Sequence, residues 1–113
     1  MKKSRFYYTR PPMLIQAYVN TIEEHIVPTN KVIKKWPQYT ICGALDYETN
    51  ILSVGVACCS PKDNFNKKLA RRISEGRAAK KPIITIEVTK ENVSNTFITI
   101  AQQIEREVYG LDE

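Results

Sequence analysis

The chain has 113 residues, 42% of them hydrophobic and 26% charged, which suits one small folded domain and excludes a disordered tract. No apolar run approaches the ~20 residues of a membrane helix. The basic start Met1-Lys2-Lys3-Ser4-Arg5 leads into Phe6-Tyr7-Tyr8-Thr9-Arg10-Pro11-Pro12 and not into a signal-peptide core, so a soluble cytoplasmic protein is expected. The net charge is +5, with three cysteines and one histidine. An odd number of cysteines, no Cys-x-x-Cys pair and a single His25 argue against a disulfide framework and against a structural zinc site. Cys42, Cys58 and Cys59 read as small apolar residues of a sheet. Cys59, at a strand end, is the one placed near a ligand.

In chain order, the aromatic stretch Phe6 to Thr9 predicts a first strand, ended by Arg10-Pro11-Pro12. Leu14, Tyr18, Ile22 and Ile26 recur every four residues and predict a helix from Pro12 to His25. The β-branched Ile15, Val19, Ile22 and Val27 fit an extended segment equally, so residues 12–27 stay open between helix and strand. Pro28-Thr29-Asn30 is a break, and Val32 to Pro37 has no clear pattern. Tyr39 to Tyr47 and Ile51 to Cys59 predict an antiparallel hairpin around Glu48-Thr49-Asn50. Gly43 and Gly55, inside these strands, mark bulges or close backbone approaches.

A helix should follow Ser60, capped by Asp63 or Asn64. Its Phe65, Leu69 and Ile73 lie at i, i+4 and i+8 and are expected to face the sheet, with Gly76 ending the helix or packing closely and Lys80-Lys81-Pro82 stopping it. Pro82 to Val88 is strongly β-branched and reads as a central strand. A last helix begins at Thr89 to Glu91, with an apolar stripe of Val93, Phe97, Ile100, Ala101, Ile104 and Val108, and stops at Gly110. The expected fold class is α+β, a single small domain over residues 1–113, with a mainly antiparallel sheet and two or three helices packed against it.

The charge is concentrated. Between Ser60 and Lys81 stand eight basic residues and two acidic ones, a local +6 against +5 for the whole chain. A strand feeding the start of a basic helix can hold an anion, because first-turn N–H groups lack intrahelical partners and the helix dipole is positive there. Ser60, Lys62 and the backbone N–H groups of Asp63 to Phe65 form the expected phosphate cradle. Lys68, Arg71 and Arg72 add charge one or two turns on, and arginine suits bidentate phosphate contact. Asp63 can accept hydrogen bonds from a ribose hydroxyl if it does not cap the helix. Tyrosines and Trp36 can stack on a base. There is no Walker-type loop, no Gly-x-Ser-x-Gly and no His-Glu-x-x-His, so no catalytic residue and no metal ligand is assigned.

The run Gly55 to Ala78 has a Val-Ala-x-Cys strand, then Ser60-Pro61-Lys62-Asp63-Asn64-Phe65, a basic helix, and Gly76-Arg77-Ala78. It resembles the first Thoeris anti-defence family of bacteriophages. These are small oligomeric proteins that bind the cyclic ADP-ribose isomer made as an alarm signal by bacterial Thoeris immunity and sequester it without degrading it. Some also hold cyclic oligonucleotides at a separate oligomer interface. The resemblance covers about 25 residues well and elsewhere extends only to length and element order. It implies a ligand-binding set of Ser60, Lys62, Asp63, Phe65, Lys68, Arg71, Arg72 and Arg77. The family pattern often has a glycine before the first helix arginine, where this chain has Ala70.

These readings together imply a non-enzymatic homo-oligomer, a dimer or higher, that needs no cofactor and sequesters a cyclic ADP-ribose isomer in the cytoplasm of an infected host cell. The alternative is a nucleic-acid-binding module that lays the basic helix, residues 64–81, on a phosphate backbone, with affinity falling steeply with salt. A nucleotide-processing enzyme ranks last.

Overall fold

The computed structural model describes residues 2–11, 36–60 and 63–110. The helix-or-strand question over residues 12–27 therefore lies outside the described residues, as does most of Val32 to Pro37. Four strands make one antiparallel sheet in the order β1-β2-β3-β4, with β1 Lys2–Tyr8, β2 Gln38–Asp46, β3 Ile51–Cys59 and β4 Ile84–Glu87. Two helices among the described residues, α1 Lys67–Lys80 and α2 Val93–Val108, cover its two faces. The architecture is a small α+β domain, as expected.

The hairpin follows from its turn. Asp46 pairs with Ile51, and the loop between them closes through Asn50 N–H donating to the Asp46 carbonyl at 2.8 Å. The Asp46 carboxylate accepts from Glu48 N–H at 3.0 Å, and Asn50 takes a left-handed φ of 58°, which asparagine tolerates well. β1 starts earlier than its aromatic stretch suggests. Lys2 to Arg5 are polar yet pair along β2, because an edge strand needs only one partner and exposes half of its side chains.

β4 departs from expectation. It is a four-residue edge strand whose residues are all exposed, not a central one. Its pairing with Ile51 to Val54 is extended by Ile83 N–H to the Val54 carbonyl and Val88 N–H to the Asn50 carbonyl. Only Val88, just past its end, joins the core.

On one face, α2 packs through Phe97 and Ala101 against Ile41, Leu52, Val54 and Val88. Thr89 and Asn92 bond reciprocally before the helix, each side chain accepting from the other's N–H, at 2.8 and 3.2 Å. The helix ends at Gly110, whose φ of 65° favours glycine. Tyr109 is buried beside it. Its hydroxyl donates to the Pro37 carbonyl at 2.7 Å and shares a hydrogen bond with Thr9 Oγ1, while Trp36 and Tyr39 meet its ring edge-on. These contacts tie the chain's last described segment to the ends of β1 and β2.

On the other face, α1 sits very close to the sheet. A side chain on Gly55 would place its first carbon 2.3 Å from the Ala78 backbone nitrogen and 2.4 Å from the Ser74 carbonyl oxygen. The residues that the helix buries here are Ala70, Ser74 and Ala78, and Ala78 packs with Cys42 and Ala44. The expected stripe of Phe65, Leu69 and Ile73 does not face the sheet. It is displaced because small residues allow a closer helix than large ones would. Gly76 lies mid-helix with open space around it, so it neither ends α1 nor packs closely. Lys81 and Pro82 do end the helix.

Candidate functional site

The cap of α1 is Asn66, not Asp63 or Asn64. Its side-chain oxygen accepts from Leu69 N–H at 3.0 Å, and its carbonyl from Ala70 N–H at 2.9 Å. Helical N–H groups therefore begin at Lys67, and the N–H groups of Asp63 to Phe65 belong to the preceding turn. That turn points several carbonyls inward. Cys59 Sγ lies 3.6 Å from the Ser60 oxygen and 3.9 Å from those of Asp63 and Asn64, while Asp63 N–H donates to the Ser60 carbonyl at 3.0 Å. The expected phosphate cradle is thus offset toward Lys67 and Lys68, because the helix starts later than the polar turn suggests.

Beside this turn is an open cavity of about 280 Å³. Cys59, Ser60, Asp63, Asn64 and Phe65 line one side, and Leu69, Ala70 and Ile73 of α1 line another, with Gln38 and Ala57 on the sheet. Of the expected site residues, the structure brings Ser60, Asp63 and Phe65 together here. Lys62 lies outside the described residues. Ala70, where the family pattern often has glycine, is buried between the helix and the sheet.

Arg71 faces β1. Its Nε donates to the Tyr8 hydroxyl at 2.5 Å, and the guanidinium carbon lies 5.5 Å from the Phe6 ring centre and 5.9 Å from that of Tyr8. Lys67, one turn earlier, places Nζ 4.7 Å from the Tyr8 ring centre. Phe65 meets Tyr8 edge-on at 6.2 Å. Two cations and three rings thus stand together between α1 and β1, joined to the cavity through Phe65. The contacts are of cation–π type, and Arg71 remains exposed. Glu75, a turn after Arg71, accepts from Ser4 Oγ at 2.6 Å and continues this side of the helix.

The remaining expected residues are dispersed. Arg77 points the opposite way and donates to the Val56 carbonyl at 2.8 Å, covering a carbonyl of β3 beyond the end of β4. Lys68 and Arg72 are exposed on the outer side of α1 and make no hydrogen bond or ion pair with the described residues. Lys67, Tyr8, Phe6 and Asn66 were absent from the expected set. Lys67 had a signal, since it lies four residues before Arg71. Tyr8 and Phe6 had only alternation in β1, and the pairing of distant segments decides which face they share with α1.

Burial also acts on nearby acidic groups. Cys42, beneath α1, has its thiol pushed up to about 11, chiefly by desolvation, with Glu75 adding to the rise and a hydrogen bond with Ser4 opposing it. No family model, curated protein or solved structure matches this chain. No helix among the described residues is long and apolar enough to cross a membrane.

Proposed function

We propose that this protein binds a compact anionic nucleotide and sequesters it without turnover. The observation that carries this reading is the group of Lys67 and Arg71 held beside Tyr8, Phe6 and Phe65, of which Phe65 also lines the cavity. A nucleotide offers a flat ring for an aromatic surface and phosphate oxygens for a guanidinium fork. The ligand is specified further by the resemblance of Gly55 to Ala78 to the Thoeris anti-defence proteins. On that reading it is a cyclic ADP-ribose isomer, captured in the cytoplasm of an infected cell.

The cavity of about 280 Å³ falls just short of the about 300–1,000 Å³ typical of small-molecule sites. Leu69 and Ile73, 48% and 37% exposed, extend its apolar wall outward. A second copy of the chain laid on this wall would enclose the ligand, so the working form is a homo-oligomer. Sequestration also requires affinity near the nanomolar range, about −12 kcal/mol.

A second reading is favoured by Lys68 and Arg72, whose side chains are unengaged by the described residues on the outer side of α1. It is a nucleic-acid interface. One experiment separates the two readings. The purified protein is titrated calorimetrically with cyclic ADP-ribose isomers at low and high salt, and the complex is then heated and the released ligand identified. Tight, weakly salt-dependent binding with intact ligand recovered supports sequestration. Altered ligand would indicate an enzyme. Absence of heat with every isomer, together with steeply salt-dependent retention of DNA or RNA, would establish the second reading instead.

A further inference from the structure

A second cavity lies on the opposite face of the sheet, where β1 and β2 meet the start of α2. It measures about 160 Å³. Its floor is apolar: Leu45, Leu52 and Phe97, together with the bare backbone of Gly43. A side chain on Gly43 would come within 2.5 Å of the Phe97 ring, so the glycine is what lets that ring lie flat against the strand. The rim carries Lys3, Arg5, Lys90 and the half-exposed Tyr47. No carboxylate lines it, and the first turn of α2 beside it has no acidic residue. Arg5 Nη1 donates to Ser94 Oγ at 2.9 Å, which fixes the guanidinium across the mouth. The Lys3 and Lys90 side chains make no hydrogen bond or ion pair with the described residues.

We propose that this cavity binds a flat, single-ring molecule bearing one anionic group. Size sets the ring: an apolar cavity of about 150 Å³ holds one benzene, and this one is of that order. Charge sets the substituent, because three cations surround an opening with no opposing carboxylate. A neutral aromatic would leave the cations unanswered, and a bare anion would leave the apolar floor wet. A pyrimidine nucleotide and an aromatic carboxylate share this chemistry. The site is separate from the Lys67 and Arg71 cluster, since the sheet lies between them.

The test is an NMR titration of the whole protein with uridine monophosphate, benzoate, uridine and inorganic phosphate, following the amide signals of Gly43, Leu45 and Ser94. One of the two ring-bearing anions should shift these signals with a Kd of about 1 mM or tighter, and the one that binds identifies the source. Uridine and phosphate should bind at least about tenfold more weakly. The double variant Arg5→Ala/Lys90→Ala should lose binding by a similar factor, and Arg71→Ala should keep it. Ser94→Phe, which fills the mouth and retains all three cations while removing the hydrogen-bond partner of Arg5, should also lose it and decides the matter if the double variant does not fold. Phosphate binding as tightly as the ring-bearing anions, no shift with either of them, or unchanged binding in Ser94→Phe would overturn the proposal.

Discussion

The two faces of the sheet are packed by different rules. Under α2 the contact is large against large, with Phe97 seated among Ile41, Leu52 and Val54. Under α1 it is small against small, with Ala70, Ser74 and Ala78 lying on a strand that has no side chain at Gly55. Burial of large apolar groups contributes most to stability, so the α2 face holds the domain together. The α1 face brings a basic helix close to the sheet and leaves its large apolar residues, Leu69 and Ile73, on the outside. Close approach is what lets Arg71 reach the rings of Phe6 and Tyr8 on the edge strand.

The comparison can be broken most directly at Gly55. Gly55→Val would set side-chain atoms against the α1 backbone, which cannot move away as a rotamer can. Destabilisation beyond about 4 kcal/mol is expected, a range that signals a specific structural fault, and denaturant unfolding measures it. Next comes Phe97→Ala, which empties the α2 face and should cost about 3–5 kcal/mol in the same assay. A loss below about 1 kcal/mol at both positions would remove the distinction between the faces.

The sequence carried the hairpin and α2 clearly. Alternation around Glu48-Thr49-Asn50 and the stripe through Val93, Phe97 and Ala101 each point to one solution. It misled on α1. Phe65, Leu69 and Ile73 outweigh Ala70, Ser74 and Ala78 on any hydrophobicity measure, yet the alanines are buried. The reason lies in Gly55, in a different segment, and only the packing of α1 on β3 brings the two together. β4 misled for a similar reason: Ile83, Ile84 and Ile86 look like a buried strand, but β4 is an edge strand, and among the described residues no further strand pairs with it. For the proposed site, the basic run marked the helix that carries Lys67 and Arg71. Which arginine faces which side depended on the same hidden choice of buried face, so Arg71 and Arg77 could not be told apart.

Two smaller effects sharpen the contrast. Cys42 lies under α1, and its thiol has a folded-state pKa of about 11 against an ordinary value of 9.0. Tyr7, Tyr39 and Tyr109 are likewise raised above 10.0, first by burial. Each raised group favours its neutral form in the fold, so its contribution is complete below the unfolded pKa. For Cys42 that contribution is lost as pH rises from about 9 to about 11, and for the tyrosines as pH rises above 10.0, because the unfolded chain releases its protons first. For Cys42 the loss is of the order of 2–3 kcal/mol, and Cys42→Ala should flatten that part of the profile in denaturant titrations at stepped pH. Asn66→Ala removes the cap of α1 and should cost about 1 kcal/mol, read as a lowered melting temperature with the α2 core intact.

The central claim is that the β1-facing side of α1 holds the ligand, and one pair of variants tests it. Affinity for cyclic ADP-ribose isomers is measured by calorimetry in Arg71→Ala and Arg77→Ala, with the folded state of each checked by its unfolding curve. Arg71→Ala should weaken binding by about 10- to 100-fold, the scale of a lost charge-assisted hydrogen bond, while Arg77→Ala binds nearly as the parent does. Full affinity in Arg71→Ala, or its loss in Arg77→Ala alone, would contradict the account.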